Sequence, residues 1–125
     1  EKRYFYPKLG TFLADTIYPG CEKLGTNDDR KSCTTNKIKD FVDDRFDTTI
    51  GKELGLSGIN RVFVIFTINK KGGIEGVKAR SSHSRLTQEG KRVVTLLPKI
   101  QPGKQNGKIV SVIYALPIAF EVPQD

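Results

Sequence analysis

The stretch Gly107-Lys108-Ile109-Val110-Ser111-Val112-Ile113-Tyr114-Ala115-Leu116-Pro117-Ile118-Ala119-Phe120-Glu121-Val122 reads as one long β-strand that carries a proline inside it. Val110, Val112, Tyr114, Leu116, Ile118 and Phe120 alternate with Ile109, Ser111, Ile113, Ala115, Pro117 and Ala119, a period of two that gives one strongly apolar face. Pro117 has no N–H to give, and a strand paired on both sides would lose a ladder hydrogen bond there. The strand is therefore expected at an edge, with at least one side unpaired in the isolated domain and open to another chain.

Working back from that strand, Gln101-Pro102-Gly103-Lys104-Gln105-Asn106-Gly107 reads as a loop, and Pro98 stops a helix before it. The helix is expected to be capped by Thr87, to turn Gly90, Val93, Val94 and Leu97 inward and to leave Arg85, Lys91 and Arg92 outside. Ahead of it, Arg61 to Ile68 is a β-branched and aromatic run with apolar residues on both faces, which belongs in the middle of a sheet. Asn69-Lys70-Lys71-Gly72-Gly73 reads as a hairpin loop, Ile74 to Arg80 returns antiparallel, and Gly76 marks a bulge. A first helix follows the start signal Thr26-Asn27-Asp28-Asp29, with Ile38, Phe41, Val42, Phe46 and Ile50 as one apolar stripe and charges of both signs between them. This order predicts an α+β fold: an antiparallel sheet of about three strands with two helices packed on one face.

At 125 residues the chain has the size of one domain, and its 37% hydrophobic content is that of a soluble protein. No segment approaches the roughly 18 consecutive apolar residues of a membrane span. Methionine is absent, so an upstream piece carrying a signal sequence or a membrane anchor is expected. The net charge of +7 is uneven: from Lys70 to Lys108 ten Lys and Arg face only Glu75 and Glu89. A basic half of this kind favours acidic partners, or serves simply as a solubilising face. Cys21 and Cys33 are the only cysteines, and with the single distant His83 they fall short of the four ligands of a structural zinc site, so no metal is expected. Their separation suits a local disulfide, which would stabilise the fold by roughly 3 kcal/mol and place the protein outside the cytosol. A pair of reduced, buried thiols is the alternative reading.

From Arg61 onward the order and punctuation resemble the C-terminal domain of the TonB family, periplasmic energy transducers of Gram-negative bacteria. The resemblance rests on Val62-x-Val64-x-Phe66-x-Ile68, Lys71-Gly72-Gly73-Ile74 with Val77, Leu86-Thr87 with Val93, Pro98, Pro102-Gly103-Lys104, and the ending Val112-x-Tyr114-x-Leu116-Pro117-Ile118-x-Phe120. Upstream, Tyr18-Pro19-Gly20-Cys21-Glu22 and the Cys33-containing helix resemble an extension common in TonB-like proteins of the Bacteroidetes type. The family's own Tyr-Pro pair, in or just before its first helix, has no counterpart here, since the matching stretch is Arg45-Phe46-Asp47. On this reading residues 1–16 are a linker end or N-terminal arm and 17–125 the TonB-like domain, with 17–60 as extension and first helix and 61–122 as the core.

The resemblance implies a non-catalytic module, without cofactor, at the end of a periplasm-spanning chain anchored in the inner membrane by an upstream helix. That helix would work with the proton-driven ExbB–ExbD complex. The domain would grip the TonB box of an outer-membrane transporter for siderophore or other nutrient uptake. The grip is strand addition along Ile109, Val110, Ser111, Val112, Ile113, Tyr114, Ala115 and Leu116, with Lys99, Lys104 and Lys108 steering acidic segments towards it. Peptidoglycan contact and a homodimer through the same edge are further implied partners.

Three other functions compete with this one. An enzyme finds little support: Ser82-His83-Ser84 lacks a nucleophile elbow, Asp28-Asp29 and Asp43-Asp44 are adjacent pairs that diverge on a helix, and Lys70-Lys71-Gly72-Gly73 lacks the phosphate-loop pattern. A nucleic-acid module has the basic half and the strand aromatics Phe63, Phe66 and Tyr114, but no recognition signature, so no nucleic-acid partner is expected. A TonB-like docking or cell-wall-binding tail of a membrane sensor or peptidase keeps the fold and changes the job.

Overall fold

The computed structural model describes residues 4–5 and 16–123. Its elements in chain order are β1 (Tyr4–Phe5), α1 (Asn27–Arg45), α2 (Thr49–Glu53), β2 (Gly58–Ile68), β3 (Ile74–Ser81), α3 (Ser84–Thr95), β4 (Gly103–Gln105), β5 (Lys108–Val110) and β6 (Val112–Val122). The antiparallel sheet runs β1-β6-β2-β3, and β4 and β5 form a separate two-stranded ribbon. Strand β2 is central, as its apolar run requires. It pairs with β6 from Gly58↔Val122 to Ile68↔Val112 without a register break.

The inner face carries Val62, Val64, Phe66 and Ile68 from β2 and Val112, Tyr114, Leu116, Ile118 and Phe120 from β6, all buried. Helices α1 and α3 cover that face in one core, α1 through Ile38 and Val42 and α3 through Leu86, Val93 and Val94. The close seat of α3 depends on Gly90, where an added Cβ would stand 2.8 Å from a Val62 methyl and 3.1 Å from one of Val64. The hairpin between β2 and β3 is closed by Asn69, whose Oδ1 accepts from the N–H of Lys71 and of Gly73, each at 2.9 Å. Gly72, at φ +85°, approaches the backbone of Ile100 so closely that a Cβ would lie 2.4 Å from its carbonyl oxygen. The bulge expected at Gly76 is present: the β2–β3 register slips by one residue between Ile65 and Thr67, opposite a Gly76 at φ +60°.

Three local expectations change. The apolar stripe does not continue to Ile50 on one helix: α1 ends at Arg45, Phe46 is its extended C-cap, and α2 begins at Thr49. The Asp47 carboxylate bonds the N–H (3.0 Å) and the hydroxyl of Thr49, an Asx turn that redirects the chain. Thr87 does not cap α3, which starts at Ser84 after His83, and the Thr87 hydroxyl instead meets Ser81 Oγ at 2.7 Å. The single strand expected from Gly107 to Val122 is broken at Ser111, and the loop before it contains β4. The expected placement of the helices on one face holds, and Phe63 and Ile65 of β2 are exposed on the other.

One buried carboxylate fastens the helices together. Glu89 of α3 accepts from Arg92 Nε (2.7 Å), from an Arg92 terminal nitrogen (2.6 Å) and from the Asp47 N–H (2.9 Å). Arg92 also donates to the Arg45 carbonyl at 3.0 Å, so α3 holds the α1–α2 junction from two sides.

Candidate partner-binding edge

Strand β6 carries the proposed site because of what lies on its two sides. One side is taken by β2 over its whole length. On the other, β1 pairs only with the far end, Tyr4↔Phe120 and Phe5↔Ala119, so among the described residues Val112 to Ile118 have no strand beside them. On the side inferred from Pro117 to be open, the described strand β1 covers two residues, Ala119 and Phe120. Pro117 sits opposite Phe63 in an unbroken ladder. A proline in such a ladder belongs where its N–H would point away from the paired strand. Backbone polar groups alternate in direction along an antiparallel strand, so Ile113, Ala115 and Pro117 form the outward set, with N–H donors at Ile113 and Ala115 only.

The eight residues expected to receive a partner do not all lie on this edge. Ile109 and Val110 belong to β5, pairing with Lys104 and Gly103 of β4, and Ser111 is the break. Val112, Ile113, Tyr114, Ala115 and Leu116 lie in β6, on the stretch that β1 does not pair. The period of two is the same before and after Ser111, so it could not register the change of pairing partner. The available signal was Asn106-Gly107, both in the left-handed region (φ 54° and 76°), the two-residue turn that folds β5 back onto β4.

Lys99, Lys104 and Lys108 are exposed. Lys104 is opposite Ile109 and Lys108 opposite Gln105, adjacent pairs whose side chains point to opposite faces of the ribbon. They present charge on both faces of the arm that leads into β6.

The inward side chains of the edge are firmly held. Tyr114 is buried with its ring 5.4 Å from that of Phe66, and the Phe120 ring lies tilted 5.3 Å from that of Phe46. Burial pushes the Tyr114 hydroxyl up to about 12, against the opposing effect of the Thr35 side chain of α1.

The extension is tied down by three kinds of bond. Cys21 and Cys33 form a disulfide, so the open choice between bridge and thiols resolves to the bridge. The Tyr18 N–H donates to Thr34 Oγ1 of α1 at 3.0 Å, and Ile17 and Gln101 exchange two backbone hydrogen bonds at 3.2 and 2.8 Å. Tyr18 packs on the core near Arg45, whose guanidinium lies 3.7 Å above the Phe41 ring. Around His83 the hydroxyls are engaged in a turn: Ser81 donates to the His83 carbonyl (2.7 Å) and accepts from its N–H (3.2 Å).

Among the described residues no helix is long and apolar enough to cross a membrane. Searches against curated proteins and solved structures found no match. A protein-family model, Gram-negative bacterial TonB protein C-terminal, matches residues 52–122, from within α2 to the last residue of β6 and more than half of the chain. Domains of this family are periplasmic, non-catalytic and associated with transport, and they interact with outer-membrane transporters. The chain is therefore a member of the TonB C-terminal domain family, with a disulfide-tied extension and α1 preceding the matched region.

Proposed function

We propose that this domain binds the TonB box of a TonB-dependent outer-membrane transporter as an added β-strand along β6, and so couples the inner-membrane proton motive force to active uptake. An upstream segment anchors it in the inner membrane, where the ExbB–ExbD complex drives it. The observation that carries this reading is that, among the described residues, no strand lies beside Val112 to Ile118 on the side of β6 away from β2, within a family match that spans the whole strand. Pairing runs over Val112, Ile113, Tyr114, Ala115 and Leu116, while Ile109, Val110 and Ser111 form the approach from the ribbon. Backbone hydrogen bonds make few demands on side-chain identity, so one transducer can serve several transporters. A pull along the paired strands loads their hydrogen bonds together in shear. Lys99, Lys104 and Lys108 raise the encounter rate of acidic segments.

The test is titration of the chain with a transporter-box peptide while backbone amides are followed by NMR. Shifts should run along Val112 to Leu116. Shifts confined to α1 and α3, or none at all, would refute the proposal. Sedimentation at the same concentrations reports whether a second copy of the domain competes for the edge.

A further inference from the structure

The face of the sheet turned away from the helices has a pattern that strand addition does not use. Cross-strand neighbours share a face, so Pro117, Phe63 and Arg80 form one row across it and Ala115, Ile65 and Lys78 the next. Phe63 is 43% and Ile65 40% exposed, and Ile113, one step further along β6, is 67% exposed. Between Phe63, Ile65 and the β3 cations lies a shallow depression of about 230 Å³. Its floor is apolar and one wall is cationic. Among the described residues neither Lys78 nor Arg80 makes a hydrogen bond or ion pair, nor does Arg61 beside them on the same face.

We propose that this face docks a short acidic and apolar segment of a partner polypeptide, its apolar side chains over Phe63 and Ile65 and its carboxylates against Lys78 and Arg80. Charge selects the occupant. A second copy would bring the same cations to the same face on a chain of net charge +7, and like charges opposed across an interface are unfavourable. A plane of anionic headgroups would meet Glu75, opposite Thr67, at one end of the face and Glu121, opposite Ile59, at the other. A segment no longer than the Lys78–Arg80 span stays clear of Glu121 on β6 and stops short of Glu75, the next outward position along β3. An exposed apolar patch with a charged rim is the usual form of a peptide-docking surface. The proposal does not depend on the transporter reading, because it uses the face of the sheet and not the edge of β6.

The test compares a Glu- and Leu-containing peptide with a Lys- and Leu-containing one of equal length, each titrated into the whole chain with NMR detection. The acidic peptide should shift the amides of Phe63, Ile65, Lys78 and Arg80, and the basic one should not. The double variant Lys78→Glu, Arg80→Glu should weaken the acidic peptide about fivefold or more and leave transporter-peptide binding at β6 unchanged. Both side chains are exposed, and a retained melting temperature verifies the fold. Phe63→Ser should weaken binding without altering its salt dependence. Equal binding of both peptides, shifts elsewhere, or unchanged affinity in the double variant would overturn the proposal. So would self-association blocked by Phe63→Ser, or binding only to phosphatidylglycerol vesicles.

Discussion

Placing a second proline in β6 tests the edge directly. If Pro117 belongs to an outward-pointing set, the Ala115 N–H points to the open side and makes no bond to β2. Ala115→Pro then removes no ladder hydrogen bond, and the residue is only half-buried, so the ring meets little packing. The expected loss of stability is about 1 kcal/mol or less, reflecting the adjustment of φ towards the proline value. Bound peptide is affected differently, because one of the two outward donors, Ile113 and Ala115, is lost. At about 1 kcal/mol for a hydrogen bond, binding should weaken about fivefold. Urea unfolding measures the first quantity and titration with the transporter peptide the second. Hydrogen exchange adds an internal check: without peptide the amides of Ile113 and Ala115 should exchange faster than those of Val112, Tyr114 and Leu116. Destabilisation of about 3 kcal/mol or more, or strong protection of the Ala115 amide, would mean that this N–H feeds the β2 ladder and that the outward set is the other one.

Glu89→Ala should destabilise by about 2–4 kcal/mol in urea unfolding, because the Asp47 N–H loses its buried acceptor and the stem leaves a gap. The half-exposed Arg92 adds little to that figure. Gly72→Ala should lower stability by about 2 kcal/mol or more, since a Cβ must displace the Ile100 carbonyl and the backbone is left-handed. The raised Tyr114 hydroxyl sets a pH dependence whose sign is fixed: the folded state holds its proton to about 12 while an unfolded tyrosine ionises near 10. Its contribution, on the order of 3 kcal/mol, is fully present below about pH 10 and lost as pH rises towards 12. Tyr114→Phe should flatten that part of the stability profile, and an unchanged slope would show that other groups control it.

Much of the fold was legible because burial imposes periods on the chain. The alternation in β6, the apolar run of β2, the Asn69 to Gly73 hairpin and the bulge at Gly76 all follow from local rules that packing then satisfied. The ribbon was missed for a definite reason: Gly103-Lys104-Gln105 has no apolar alternation, so nothing but its turn identifies β4 as a strand. Phe63 and Ile65 are apolar as in a fully covered strand, and only the placement of both helices on one side leaves them exposed. The edge could be argued from Pro117. That β1 pairs with Ala119 and Phe120 depends on a contact more than a hundred residues away in sequence, beyond the reach of any local pattern.

The Cys21–Cys33 bridge has a mechanical consequence. Tension arriving from the N-terminal side passes from Cys21 directly to Cys33, so the intervening loop and the first turns of α1 stay slack. Sequence separation 12 and a Cα–Cα distance of 5.7 Å mean that about 35 Å of extended chain is held out of reach while the bond is intact. An oxidised domain pulled from its ends should lengthen by that much less on unfolding than a reduced one. In the proposed coupling role, the bridge would shorten the tether and stiffen the connection between the pull and the sheet.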